Sequence, residues 1–186
     1  MLSGKDFLKP ATAMGFDFFT GVPCSFLTPI INAVISKKSL NYVSASSEGE
    51  AVAIAAGAWI AGRKTVVMCQ NSGLGNAVNP LSSLNYPFRI PTLFITTWRG
   101  QPKVHDEPQH VLMGKITHSL FDKLLIPHQR FPKTPTKLTK ALKIASVKMK
   151  NSSLPYAFIM EKGIMRHEDI KPVSYTHLRA HETLRY

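Results

Sequence analysis

Between Trp98 and His110 the chain places two imidazoles, two carboxylates, a guanidinium and an ammonium in thirteen positions, held by Pro102 and Pro108. Three readings are open to such a set. Arg99 and Lys103 could attract an anion while His105 and His110 donate or shuttle protons. His105, Asp106, Glu107 and His110 could ligate a metal, although their spacing matches no zinc signature. The third is a solvated loop, since loops are polar as a rule. Nothing resembles a serine or cysteine triad, and Ser25 has no local base.

A further acid stands out by its position. From Ala51 to Trp59 the chain is apolar on every face, which predicts a helix buried all round. Ser47 and Glu50 have the spacing of a capping box, and Glu48 and Glu50 both fall in the first turn, where the helix dipole favours carboxylates. The box accounts for Glu50 and leaves Glu48, because residues two apart do not share a helix face. A carboxylate at the mouth of an apolar helix has a partner, a task, or only the dipole to stabilise it. Gln70 to Asn76 is a glycine-bearing loop entering a helix, so its backbone could approach a ligand or be an ordinary turn. It has neither the P-loop ending nor the third glycine of the dinucleotide pattern.

Elements of two periods must position these residues. Ser3 and Asp6 cap a short helix that Pro10 should kink or end. Strands are predicted at 16–20, 40–45, 65–70, 91–97 and 156–160, the third a continuous apolar run as in a strand covered on both faces. Helices are predicted from Ser25 or Thr28 to about Ser36, from Ser47 to near Gly62, from about Asn76 to Leu84, from Val111 to Leu125, and from Thr134-Pro135 onward. Alternating strands and helices predict a three-layer α/β/α domain with a mostly parallel sheet of about six strands. Right-handed crossovers put the strand-to-helix loops on one edge of that sheet, where open α/β sheets bind ligands. Gly21–Ser25, Ser46–Glu48, Gln70–Asn76 and Trp98–His110 all fall there.

The 186 residues suffice for one domain with a real core. Two cysteines make no disulfide framework, no run is long enough to cross a membrane, and the chain reads as cytoplasmic. The formal charge of +12 raises nucleic acid as a partner. Much of the excess lies between Lys123 and Lys150, which contains no Asp or Glu. Lys137, Lys140, Lys143, Lys148 and Lys150 form one helical face opposite Leu138, Ala141, Leu142, Ala145 and Met149, with no interleaved aromatics. This is a solvated surface helix, and neither nucleic acid nor membrane is expected as a partner.

Phe18 to Pro23, Ser47 to Gly57 and Asn71 to Asn76, in this order, resemble the pyrimidine-binding domain of thiamine-diphosphate-dependent decarboxylases, from Asp6 to about Gly163. Trp98-Arg99-Gly100 and Asp106 to His110 narrow the likeness to the phosphonopyruvate decarboxylases, with the sulfopyruvate decarboxylases next. The resemblance implies that Glu48 bonds a ring nitrogen of the cofactor's aminopyrimidine, favouring the imino tautomer that generates the thiazolium ylide. It implies that Val22 and Pro23 line the pyrimidine pocket and that Gly73, Gly75 and Asn76 form its neighbouring wall. Arg99, His105, Asp106, Glu107 and His110 would lie over a small anionic 2-keto acid, with Ser25 a further candidate for the anion.

Two departures qualify the likeness. Gly73-Leu74-Gly75 stands where the broader superfamily has Gly-Pro-Gly, and Asn79 is slightly off the usual asparagine position. The family's second domain, whose Gly-Asp-Gly segment and distant asparagine hold Mg2+ and the diphosphate, has no counterpart here. The chain thus supplies half a site, no metal ligand of its own, and needs a diphosphate-binding domain or subunit in a homo- or hetero-oligomer. Residues 1–171 are expected to form the domain. After Lys162-Gly163 the pattern dissolves, and 172–186 reads as a non-native or disordered tail. The alternatives are a sulfopyruvate decarboxylase alpha-type subunit and a non-catalytic binding module with the same fold.

Overall fold

The apolar runs at 65–69, 93–97 and 156–160 are buried at every residue, as strands between two helical layers must be. A computed structural model describes residues 1–167. The boundary expected at 171 and the tail reading of 172–186 lie outside these described residues. The strands are β1 (Phe16–Gly21), β2 (Asn41–Ser44), β3 (Lys64–Cys69), β4 (Leu93–Thr97), β5 (His128–Arg130) and β6 (Tyr156–Met160). They form one sheet in the order β2-β1-β3-β4-β6-β5, parallel throughout.

The helices are α1 (Gly4–Ala13), α2 (Thr28–Ile35), α3 (Glu48–Ile60), α4 (Leu74–Pro80), α5 (Val111–Lys123) and α6 (Pro135–Ser152). Alternation along the strands separates two cores. Val66, Met68, Leu93, Ile95, Phe158 and Met160 pack with α1, α2 and α6 through Phe7, Ile30, Val34, Leu138 and Leu142. Val67, Cys69, Phe94, Ala157 and Ile159 pack with α3, α4 and α5 through Val52, Ala55, Leu74, Ala77 and Phe121. The α6 lysines at 137, 140, 143, 148 and 150 are exposed.

Several local expectations need correction. α1 passes through Pro10 to Ala13, because Phe7, Leu8 and Ala11 are buried on either side and their packing offsets the missing donor. α3 buries only one face: Ala51, Val52, Ala55 and Ala56 are inside, while Ala53 and Gly57 are exposed and Ile60 is 71% exposed. Its capping is also displaced. Ser47 accepts from the Glu50 N–H at 3.2 Å, but the Glu50 carboxylate accepts from the Ser46 N–H at 2.7 Å instead of the Ser47 N–H. α4 starts two residues earlier than expected and continues as a π-helical turn over Leu81–Asn85.

β5 escaped the sequence reading because its three residues carry no apolar run. Beyond Gly163 the chain does not lose its place in the fold. Leu2 and Arg166 exchange backbone hydrogen bonds with Ile164 and Leu2 at 2.8 Å, and Ile164 and Met165 are buried.

Candidate active site

Glu48 is the first residue of α3 and is 8% exposed, so it is no surface acid. Asn76, in the first turn of α4, donates from Nδ2 to Glu48 Oε2 at 2.9 Å. Gly73 lies against the same carboxylate, and a Cβ there would run into Glu48 Cδ and Oε1. Glycine at 73 therefore keeps the flank of the carboxylate clear of side chain. Gly75, by contrast, faces open space.

Asp106 is a second centre. Arg99 donates to it from Nε at 2.8 Å and from Nη2 at 2.5 Å, the backbone N–H of Gly100 at 2.8 Å, and the N–H of Glu107 at 2.9 Å. His110 Nδ1 lies 3.0 Å from Asp106 Oδ1. The Arg99 guanidinium, helped by these N–H groups, holds the Asp106 carboxyl well below the usual carboxylate range, and Asp106 in turn raises Arg99. Arg99 also lies over the Phe26 ring at 5.2 Å.

Asn71 is fully buried in the turn Asn71–Gly73 that follows β3. Its Nδ2 donates to the Arg99 carbonyl at 2.8 Å and to Thr117 Oγ1 at 3.0 Å, and its Oδ1 accepts from the Arg99 N–H at 3.1 Å. Trp98 Nε1 donates to the Gly114 carbonyl at 2.7 Å. A Cβ on Gly114 would strike the Gly100 backbone, and one on Gly100 the His110 carbonyl. The first turns of α5 are thus closed directly onto the loop after β4.

Gln70 joins the parts. Its Nε2 donates to Ser72 Oγ at 2.7 Å and lies 3.4 Å from His110 Nε2, while its Oε1 accepts from the Cys24 thiol at 3.6 Å. The Gly73 N–H donates to the Gln70 carbonyl at 3.0 Å, tying this network to the wall beside Glu48. Val22 is half-buried and pairs with the Met68 carbonyl at 3.1 Å, whereas Pro23, Ser25, His105 and Glu107 are exposed. Among the described residues no group of three or more His, Cys, Asp and Glu is placed to hold a metal. Asp106 is taken by Arg99, and His105 and Glu107 turn outward.

The sequence reading took Gln70 and Asn71 only as members of a glycine-bearing loop, without roles of their own, and passed over Thr117 and Gly114. Gln70 and Asn71 did carry a signal, as two amides directly after an apolar strand. Thr117 and Gly114 carried none, since their roles are set by contacts with residues on other elements.

This edge, with a buried glutamate on a helix N-terminus beside a glycine-flanked turn, defines a class. Over residues 4–121 the chain matches the family described as thiamine pyrophosphate enzyme, N-terminal TPP binding domain, and it belongs to that family. It is 43% identical over 170 residues to a phosphonopyruvate decarboxylase of Streptomyces hygroscopicus, covering 91% of this chain and 42% of that protein. It is 44% identical over 170 residues to the phosphonopyruvate decarboxylase of Streptomyces viridochromogenes, covering 91% and 43%. To the sulfopyruvate decarboxylase subunit alpha of Methanocaldococcus jannaschii it is 39% identical over 145 residues, covering 78% of this chain and 85% of that subunit. The chain spans less than half the length of the two Streptomyces relatives. Among the described residues no helix is long and apolar enough to cross a membrane.

Proposed function

We propose that the chain is the pyrimidine-binding half of a thiamine-diphosphate-dependent 2-keto-acid decarboxylase, acting on phosphonopyruvate to give phosphonoacetaldehyde and carbon dioxide. The observation that carries this reading is the Glu48 carboxylate, buried at the start of α3, gripped on one oxygen by Asn76 and flanked by Gly73.

The residues present fit an aminopyrimidine, since a Cβ at 73 would fill the space the carboxylate needs. When bound, thiamine diphosphate supplies the carbon nucleophile and the electron sink for decarboxylation. Glu48 would hold a proton towards a ring nitrogen of the bound cofactor, Val22 and Pro23 would line its pocket, and Gly73, Gly75 and Asn76 would form the adjoining wall. We assign Ser25, Arg99, His105, Asp106, Glu107 and His110 to the side of the cleft that would take a substrate with two anionic groups, Asp106 acting by holding Arg99. Because Asp106 already pairs with Arg99, Lys103, which is exposed, is the cation of this loop with greatest freedom to meet that substrate. The Mg2+ and the diphosphate belong to a second domain or subunit, and the bare apolar stripe of Ala53, Gly57 and Ile60 on α3 is the face we assign to it.

The extent of the match to the archaeal alpha subunit favours a second reading, a separate subunit acting on sulfopyruvate. Both readings are tested by supplying a diphosphate-binding domain and assaying the two keto acids with Glu48 and with Glu48→Gln. Loss of about 10²–10⁴-fold in turnover is expected for the variant; turnover at the parent rate would remove Glu48 from the mechanism. Failure of the assembled pair to bind thiamine diphosphate would leave a non-catalytic module with the same fold.

A further inference from the structure

Gln70 stands between the His110 ring and the Cys24 thiol. Asp106, an acceptor only while ionised, faces His110 Nδ1 at 3.0 Å, so Nδ1 carries a hydrogen. The other ring nitrogen, Nε2, lies 3.4 Å from the Gln70 amide nitrogen. An amide nitrogen donates only, so in this orientation the contact calls for a lone pair on Nε2. In this arrangement every partner of Gln70 agrees: the Cys24 thiol donates to Oε1, and Nε2 donates to Ser72. The charged and titratable groups in contact at the junction are Asp106 against His110, Arg99 paired to Asp106, and the Cys24 thiol against Gln70.

A proton placed on His110 Nε2 would bring two donors face to face. His110 is only 8% exposed, and a donor left unpaired there costs about 1–3 kcal/mol. Half a turn of the Gln70 amide removes the conflict. Oε1 then accepts from His110 Nε2–H and from the Ser72 hydroxyl, and the amide N–H points to the Cys24 sulfur, a weak acceptor. Both arrangements use the same four side chains, and in the second the amide N–H of the half-buried Gln70 meets the Cys24 sulfur and solvent.

We infer that Gln70 is a positioning residue whose amide turns over as His110 gains or loses the proton on Nε2, so that the ring can cycle a proton within the cleft. Its use in turnover rests on the decarboxylase reading above; its test does not. In the 15N-labelled full chain, the form of His110 with a bare Nε2 should carry its hydrogen on Nδ1. As the solution is taken from about pH 8 to about pH 5, the Gln70 side-chain NH2 signals should shift with the same midpoint as His110 Nε2. Gln70→Glu, which can only accept while ionised, should keep Nε2 protonated at a pH where the parent ring is bare. Gln70 signals indifferent to the His110 titration, or a bare Nδ1 beside a protonated Nε2, would overturn the inference. Should Gln70→Glu fail to fold, the titration of the parent chain decides alone. Failure of the assembled enzyme to decarboxylate would leave this result standing.

Discussion

Asn71 and Arg99 exchange two hydrogen bonds, side-chain amide to backbone, the Asn71 Nδ2 giving to the Arg99 carbonyl at 2.8 Å and Oδ1 receiving from the Arg99 N–H at 3.1 Å. The pair fixes the start of the long polar loop to the turn after β3, and through that turn to Gly73 and Glu48. The root of this highly charged loop is thereby held by a fully buried amide.

Asn71→Ala should therefore cost roughly 1–3 kcal/mol, since it strands an N–H and a C=O in the interior. Urea unfolding would measure the loss. Amide exchange should also rise across residues 99–110; unchanged protection there would show that the loop is held by other means.

The closure of α5 onto the loop gives a sharper contrast. Gly114→Ala puts a methyl group onto the Gly100 backbone, and overpacking against main chain should destabilise by about 1–3 kcal/mol. Gly75→Ala enters open space and should be neutral or stabilising by about 0.4–1 kcal/mol. Thermal unfolding of the two variants side by side would separate close packing from a general intolerance of glycine replacement.

Acid should find Asp106. Its folded pKa is depressed below the ordinary 3.8, with Arg99 the leading cause. Its contribution is thus fully present above 3.8 and is lost as pH falls towards the folded value. Chemical denaturation at steps below about pH 4 should show a falling midpoint in the parent and a shallower fall in Asp106→Asn. Equal slopes would assign the acid sensitivity to other carboxylates.

His118 should make itself felt at milder pH. Burial, together with the neighbouring His128 and Arg130, lowers its pKa from 6.5. The unfolded chain then binds the proton more readily, so stability should rise with pH through the window just below 6.5. Replacing His118 with Phe should flatten that part of the stability profile; an unchanged profile would mean that other groups titrate there.

The edge was legible because it depends on alternation and handedness. Glu48, Gln70 to Asn76 and Arg99 to His110 follow three strands of a parallel sheet, and such segments have only one side on which to meet. Pairing within the edge was not legible. Arg99 and Asp106 show as opposite charges in any composition count, but whether the guanidinium faces a ligand or its own loop depends on the fold at Gly100. β5 was unreadable for a related reason. His128, Gln129 and Arg130 make a strand through pairing with Ala157, Phe158 and Ile159, and nothing in their own types calls for one. α3 misled in the opposite direction, since alanine and glycine on its outer side look the same whether they meet a core or solvent.

The contact between Leu2 and Met165 also sets an order of events during synthesis. While the ribosome is still making the middle of the sheet, Leu2 has nothing to pair with. β1, β2 and β3 can assemble from the first 69 residues, but the clasp must wait until residue 165 has emerged. Contacts so distant along the chain are slow to form. Leu2 therefore stays without its strand partner until that point, and fastening it should be among the last steps in completing the domain.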